Sequence, residues 1–396
     1  MLIQIHMIQN YAPSNLNRDD TGSPKDTVFG SVPRGRISSQ CLKRSIRKSV
    51  VFEEAFRSDG LLGERTKTLP VLLRKNLTEQ KADDETINAI LSRLPEIIRG
   101  STKGEKSEEE GETEDESEST ETKVVSDEST GEIKQLVFLD VKTELNAFAS
   151  KLLEAYIAAG GSPKKWAALK IKELMKKLDE SIPRSVDIAM FGRMTTSPAF
   201  KNVQAAVQVA HALSTNALKQ DFDYYTAMDD LKPDSEPGAD MIGDIEFNSC
   251  TYYKYLNVHW EELVKNLGDD AEAKTIACRA VLALLEAAAM THPTGKQNSF
   301  GAFNPPDFIL VEVSGRNLPI NYANAFLKPV KGYGNQTLLA NSVEQFSEYV
   351  GRLSKAYNLT PNRAYLTIQD LAFLDLKAQP SIDDLKSWLD KQISQA

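Results

Sequence analysis

Residues Leu2 to Ile8 alternate, with Leu2, Gln4, His6 and Ile8 on one side and Ile3, Ile5 and Met7 on the other. The second side is wholly apolar, so the segment reads as a strand with that side on the core. Leu42, Ile46 and Val50 then recur at helical spacing behind Ser38 and Ser39. Either serine is a good N-cap, which predicts an amphipathic helix from Gln40 into the region of Phe56. From Gly60 to Ser181 "LPVLLRKNL", "ETINAILSRLPEIIRG", "QLVFLDVKTELNAFASKLLEAYIAAG" and "SPKKWAALKIKELMKKLDESI" all read as helices. Alternation returns in "SVDIAMFGRM" and "NVQAAVQVAHALST". In the latter Val203, Ala205, Val207, Val209, His211 and Leu213 share a side, which makes His211 a core histidine.

The stretch "KQDFDYYTAMDDLKPDSEPGADMIGD" is rich in Asp, Pro and Gly. It is too polar for core despite Tyr224, Tyr225, Met228 and Met241, and predicts a protruding ribbon or loop. "EFNSCTYYKYLNVH" and "PDFILVEVSG" read as strands, "DDAEAKTIACRAVLALLEAAAM" as a buried helix and "IDDLKSWLDKQI" as a C-terminal helix. The succession predicts an α+β sandwich of the ferredoxin-like kind with large insertions.

Charge changes this picture once it is divided along the chain. The net charge of −9 over 396 residues is concentrated between Glu105 and Thr130, where 12 acids face only Lys106 and Lys123. That low-complexity segment lacks the apolar surface to fold and reads as a disordered insert. Residues 1–50 instead hold eight bases against three acids. A polyanionic partner is therefore compatible with an acidic chain. The odd set Cys41, Cys250 and Cys278 implies no disulfide framework, and the four scattered histidines imply no zinc site. No secretory signal or membrane span is read, and a reduced, cytoplasmic setting is expected.

Arg34, Arg36, Lys43, Arg44, Arg47 and Lys48 crowd one short region, with Lys43/Arg47 and Arg44/Lys48 as like-charged i,i+4 pairs that weaken a helix. The residues leave three readings open. One is a solvated face. A second is a phosphate-binding face, supported by the capped helix N-terminus and by cations spaced to follow a phosphate backbone. A third is a metal-dependent nuclease using Asp19, Asp20 and His6, although adjacent acids in a turn more often cap backbone N–H groups. "FGRMTTS" places Arg193 and Met194 at a strand end where they could meet a sugar-phosphate and a base, and "DYYTAM" offers faces for an unstacked base. There is neither a Gly-x-Ser-x-Gly elbow nor a Walker A sequence.

The motifs "SNLNRDDTGSPKDTVFG", "RISSQCLKRSIRKS", "VDIAMFGRMTTS", "VQVAHALST", "DYYTAMDDL" and "GKQNSFGAFNPPD" occur in the order found in the CasC family. The chain thus resembles the backbone ("Cas-seven" group) subunit of the type I-E CRISPR Cascade complex. The resemblance implies an RRM-like palm (1–58, 182–216 and 252–396, the last with the C-terminal helices), helical fingers (59–181, with the insert 105–130) and a thumb (217–251). It also implies a non-catalytic, cofactor-free protein that polymerises along crRNA. Its partners would be further copies, other Cascade subunits and target DNA paired to the guide. Matched positions imply RNA contacts at Arg18, Lys25, Ser38, Gln40, Lys43, Arg44, Arg47, Lys164, Lys165, Arg193 and Met194. Tyr224, Tyr225, Thr226 and Met228 match the thumb positions around a displaced base. A stand-alone RNA-binding protein remains a further alternative.

Overall fold

The computed structural model describes residues 1–100, 132–171, 173–174, 184–227, 241–332 and 337–395. The acidic insert and Met228 lie outside them. The chain divides into two compact units. One contains Met1–Ala55, Ala206–Leu263 and Lys274–Ala396; the other contains Phe56–Ala205 and Val264–Ala273.

The first unit is built on β1 (Leu2–Asn10), which pairs antiparallel with β10 (Thr251–His259) on one edge and β11 (Phe308–Ser314) on the other. The sheet continues through β12 (Asn362–Thr367) beyond β11. Beyond β10 come β6 (Val207–Val209), β7 (Ala212–Ser214), β3 (Val32–Ile37) and β2 (Asp26–Phe29). Its kernel runs β1, helix α1 (Ser39–Arg47), β6/β7, β10, helix Ala271–Met290, β11. In space these strands lie in the order fourth, first, third, second, which is the ferredoxin-like arrangement anticipated from the sequence.

Both faces of β1 are buried. Ile3, Ile5 and Met7 share a side with Lys254, Leu256 and Val258. The ammonium of Lys254 donates to the Ala288 carbonyl at 2.9 Å, at the C-terminal turn of helix Ala271–Met290 where the helix dipole favours a cation. The opposite face carries Ile8, Tyr253, Tyr255, Phe308 and Leu310 beneath Tyr322, Phe326, Val343, Phe346 and Val350. His6 lies within that layer, its ring 4.7 Å from that of Tyr322.

The helical unit packs helices Leu69–Glu79, Asp84–Arg99 and Glu144–Ala158 around Leu73, Ile90, Leu94, Phe148 and Leu152. Two elements here differ from the sequence expectation. Val137–Asp140, read as helix, forms a strand (β5) paired with β4 (Gly63–Thr66). Val186–Phe191, read as alternating strand, is helical. Residues 186–190 are all buried, and a short run buried on every side has no periodicity to separate helix from strand. The helix expected to run from Gln40 to Phe56 is two, because Ser49 caps a second helix, Val50–Phe56, through the Phe52 N–H. Val50 is consequently 68% exposed and no part of the buried stripe.

Burial lowers the Lys254 ammonium to about 7. The unfolded chain then holds the extra proton above that point, so stability rises with pH across the window. Thermal unfolding is expected to shift upward between about pH 7 and pH 9, and Lys254→Met to flatten that rise. Equal slopes in the two proteins would contradict the assignment.

Candidate nucleic-acid interface

Helix α1 takes its orientation from its cap. Ser38 has extended backbone, and its hydroxyl accepts from the Cys41 N–H at 3.3 Å. The Ser38 N–H donates to Asn17 Oδ1 at 2.8 Å and so ties the cap to the preceding loop. Leu42 and Ile46 are buried, and Gln40, Lys43, Arg44 and Arg47 recur at i, i+3, i+4 and i+7 on another face. Gln40 and Arg44 are exposed, while Lys43 and Arg47 are half-buried. Burial pushes the Lys43 ammonium below its usual range. An anion on this face would restore what desolvation costs.

The loop before β2 is braced from within. Asp19 Oδ1 accepts from the Thr21 hydroxyl and from the Thr21 and Ser23 N–H groups at 2.8–3.0 Å, led by the hydroxyl in holding the carboxyl below the usual range. Beneath it Gly295 comes so close that a Cβ would sit 2.4 Å from the Leu16 carbonyl oxygen. That close approach gives the "GKQNSFGAFNPPD" stretch a physical role: Asn304 Oδ1 also receives the Ala12 N–H at 3.0 Å. A cavity of about 520 Å³ opens between Leu16–Gly22 and Gly295, with Arg18 exposed at its wall. Lys25 follows, its N–H bonded to the Asn17 carbonyl at 2.8 Å.

Two basic-region expectations are corrected. Arg34 is not on the surface; it is fully buried, donating to the carbonyls of Ser214, Thr215, Phe326 and Leu327. His211 is not core. The ladder breaks between β6 and β7, so the ring turns outward and lies 3.4 Å from Arg36.

The predicted ribbon is present as β8 (Gln220–Ala227) and β9 (Met241–Asn248). All of β8 is exposed, with Phe222 and Tyr224 each 65% accessible. Tyr225 covers Gly243 across the strand, where a Cβ would meet its ring at 2.6 Å. Thr226 pairs with Ile242. Asp221, Asp223, Asp244 and Glu246 populate the same ribbon, which suits contact with uncharged base faces better than with phosphates. Its base is fixed by reciprocal N–H···O bonds between Ser14 and Asn248.

Lys164, Lys165, Arg193 and Met194 belong to the helical unit. The lysines are exposed on helix Pro163–Ala168, anchored by buried Trp166, whose Nε1–H donates to the Ala89 carbonyl at 3.0 Å. Met194 is 94% exposed beside a cavity of about 340 Å³ lined also by Arg65, Gln135, Phe138 and Thr196. Arg193 departs from expectation. It is buried and bidentate to Glu144 at 2.7 and 2.8 Å, with further bonds to the carbonyls of Lys201 and Phe138. All its donors face inward, so it positions Met194 and does not itself reach a phosphate.

The nuclease set does not assemble. His6 is sealed between β10 and β11, with Nδ1 2.8 Å from Tyr253 Oη and Nε2 3.2 Å from Glu312, while Asp19 and Asp20 are exposed. Among the described residues no group of three or more His, Cys, Asp or Glu side chains could hold a metal ion. No described helix is long and apolar enough to cross a membrane.

Fold and site define an α+β protein with a capped basic helix and an exposed aromatic ribbon. Residues 3–389 match the model of the CT1975-like protein family, and the chain belongs to that family. It is similar over 100% of both chains to a chain of the solved "CRISPR RNA-guided surveillance complex, pre-nicking", at 28% identity and a TM-score of 0.72. A chain of a second "CRISPR RNA-guided surveillance complex" shares the fold at 22% identity and a TM-score of 0.58, over 100% of this chain and 99% of that one. No curated protein matches.

Arg193→Ala strands the buried Glu144 carboxylate and is expected to cost about 3–5 kcal/mol of stability. Met194→Ala, at an exposed site, should stay within about 0.5 kcal/mol. Denaturant midpoints check both, and similar losses would contradict the division of roles.

Proposed function

We propose that this chain is the guide-RNA-binding backbone subunit of a type I-E CRISPR surveillance complex. Copies polymerise along crRNA and present it for pairing with target DNA, other Cascade subunits completing the particle in the cytoplasm. Residues 1–58, 182–216 and 252–396 serve as palm, 59–181 as fingers and 217–251, with the β8–β9 ribbon, as thumb. The role is non-catalytic: the chain shapes the guide, and base pairing supplies the sequence specificity.

The observation that carries the reading is the face of α1. Gln40, Lys43, Arg44 and Arg47 line one side of a helix whose capped N-terminus is fixed to the Asn17–Lys25 loop. A helix N-terminus with cations one and two turns on is suited to a phosphate backbone. Arg18, Lys25, Lys164 and Lys165 supply further charge, and Met194 packs at the kink. Tyr224, Tyr225, Thr226 and Met228 hold the displaced base. Family membership and the likeness to the pre-nicking complex support the same reading.

Lys43→Ala with Arg47→Ala is expected to weaken binding of every guide sequence alike. It should also reduce the log–log salt slope by about 0.7 for each phosphate no longer neutralised. An unchanged slope places α1 outside the RNA path. Tyr225→Ala is expected to act on assembly, giving shorter particles on a guide-length RNA by size exclusion. A loss of single-copy affinity as large as that of the α1 pair would contradict the thumb assignment.

A further inference from the structure

Two cations of one hairpin meet a histidine 175 residues beyond Arg36, beside α1. Arg36 on β3 brings Nη1 to 3.4 Å from His211 Nδ1, and its Nε donates to the Asp26 carbonyl at 3.0 Å, which fixes the guanidinium. The Arg36 N–H donates to the Lys25 carbonyl at 2.9 Å, so the two cations leave adjacent positions of one hairpin. His211 is exposed in the link between β6 and β7. The Cys41 N–H, in the first turn of α1, donates to the Ser38 hydroxyl, and the charge of Lys25 acts on the Cys41 thiol, so the cluster reaches the capped end of the helix. Among the described residues no carboxylate pairs with Lys25, Arg36 or His211.

Such a set carries positive charge that no described carboxylate offsets. Partial burial first, then the charges of Arg36 and Lys25, hold the His211 imidazole below its ordinary range. Near neutral pH the ring is therefore uncharged, with Nδ1 placed to accept from Arg36. A phosphate seated among the three reverses the field. Its charge offsets Arg36 and Lys25, and its oxygens accept from a protonated ring.

We propose that Lys25, Arg36 and His211 together bind one phosphodiester of single-stranded RNA, and that His211 takes up a proton from solvent as the phosphate seats. The inference rests on the RNA-binding reading above and adds to it two residues and a pH dependence. The proton stays on the ring and no bond of the RNA changes. Arg36 from β3 and Lys25 from the loop before β2 are the charges facing the ring. The Cys41 thiol on α1 is raised by burial and stays protonated in the relevant range.

The test titrates the full-length chain with a short single-stranded RNA from about pH 6 to pH 8, in buffers of different ionisation enthalpy, by calorimetry. Affinity is expected to be roughly fivefold tighter at the acid end, with net proton uptake near neutrality, because an imidazole pKa raised by about one on binding corresponds to about tenfold in affinity. In His211→Asn the uptake and the slope should both vanish, while His211→Lys should bind tightly with a flat profile. RNA binding with the same pH profile in wild type and His211→Asn would overturn this proposal alone. No RNA binding by wild type at any pH would instead overturn the RNA reading on which it rests.

Discussion

Everything in the sheet unit follows from a first strand that has no solvent side. β1 is paired on both edges over seven or more residues and buried on both faces, so the chain must supply two covering layers. Helices α1 and Ala271–Met290 belong to the ferredoxin-like kernel; Tyr322–Phe326 and Leu338–Tyr357 form the second layer. Burying a large apolar side chain stabilises by about 1.5–3 kcal/mol, so a double-sided strand gives a rigid base. Leu42 and Ile46 commit the apolar stripe of α1 to this packing, and its polar residues are left for another partner.

The polar groups inside show the same constraint from the other direction. His6 and Glu312 are wholly buried where a purely apolar layer would have served, and they are met by Tyr253, Tyr322 and Arg363. Arg34 gives its guanidinium hydrogens to four carbonyls and so ties β3 to the chain after β7 and to Phe326 and Leu327. Unpaired buried carbonyls are costly, and this arginine satisfies several of them at once. The strand that delivers α1 is thereby held firmly just before the cap.

Much of this was legible in the residues, and the failures have physical reasons. The alternation of Leu2–Ile8, the Ser38 cap, the exposed ribbon and the stripe of Leu42 and Ile46 are local patterns that tertiary contacts reinforce. Arg34 could not be sorted from its basic neighbours, because its burial depends on carbonyls some 180 and 290 residues away. Arg193 was misread likewise, its partner Glu144 lying 49 residues off. His211 followed the alternation on paper, but the ladder breaks between Val209 and Ala212 and turns it over. β5 was hidden inside a helical run because four residues are too few to show a period. The proposed thumb role of the β8–β9 ribbon rests on family resemblance, since no residue pattern within one chain marks a contact between copies.

In the proposed reading the surplus of cations near α1 serves RNA, although the chain as a whole carries a net charge of −9. The most direct measurement is to co-express the chain with a CRISPR repeat-spacer transcript and its neighbouring genes, purify by size exclusion and sequence the bound RNA. A large particle holding protected RNA of guide length is the expected result. A small, RNA-free protein that stays so with every partner present would contradict that reading and return the basic helix to a solvated surface.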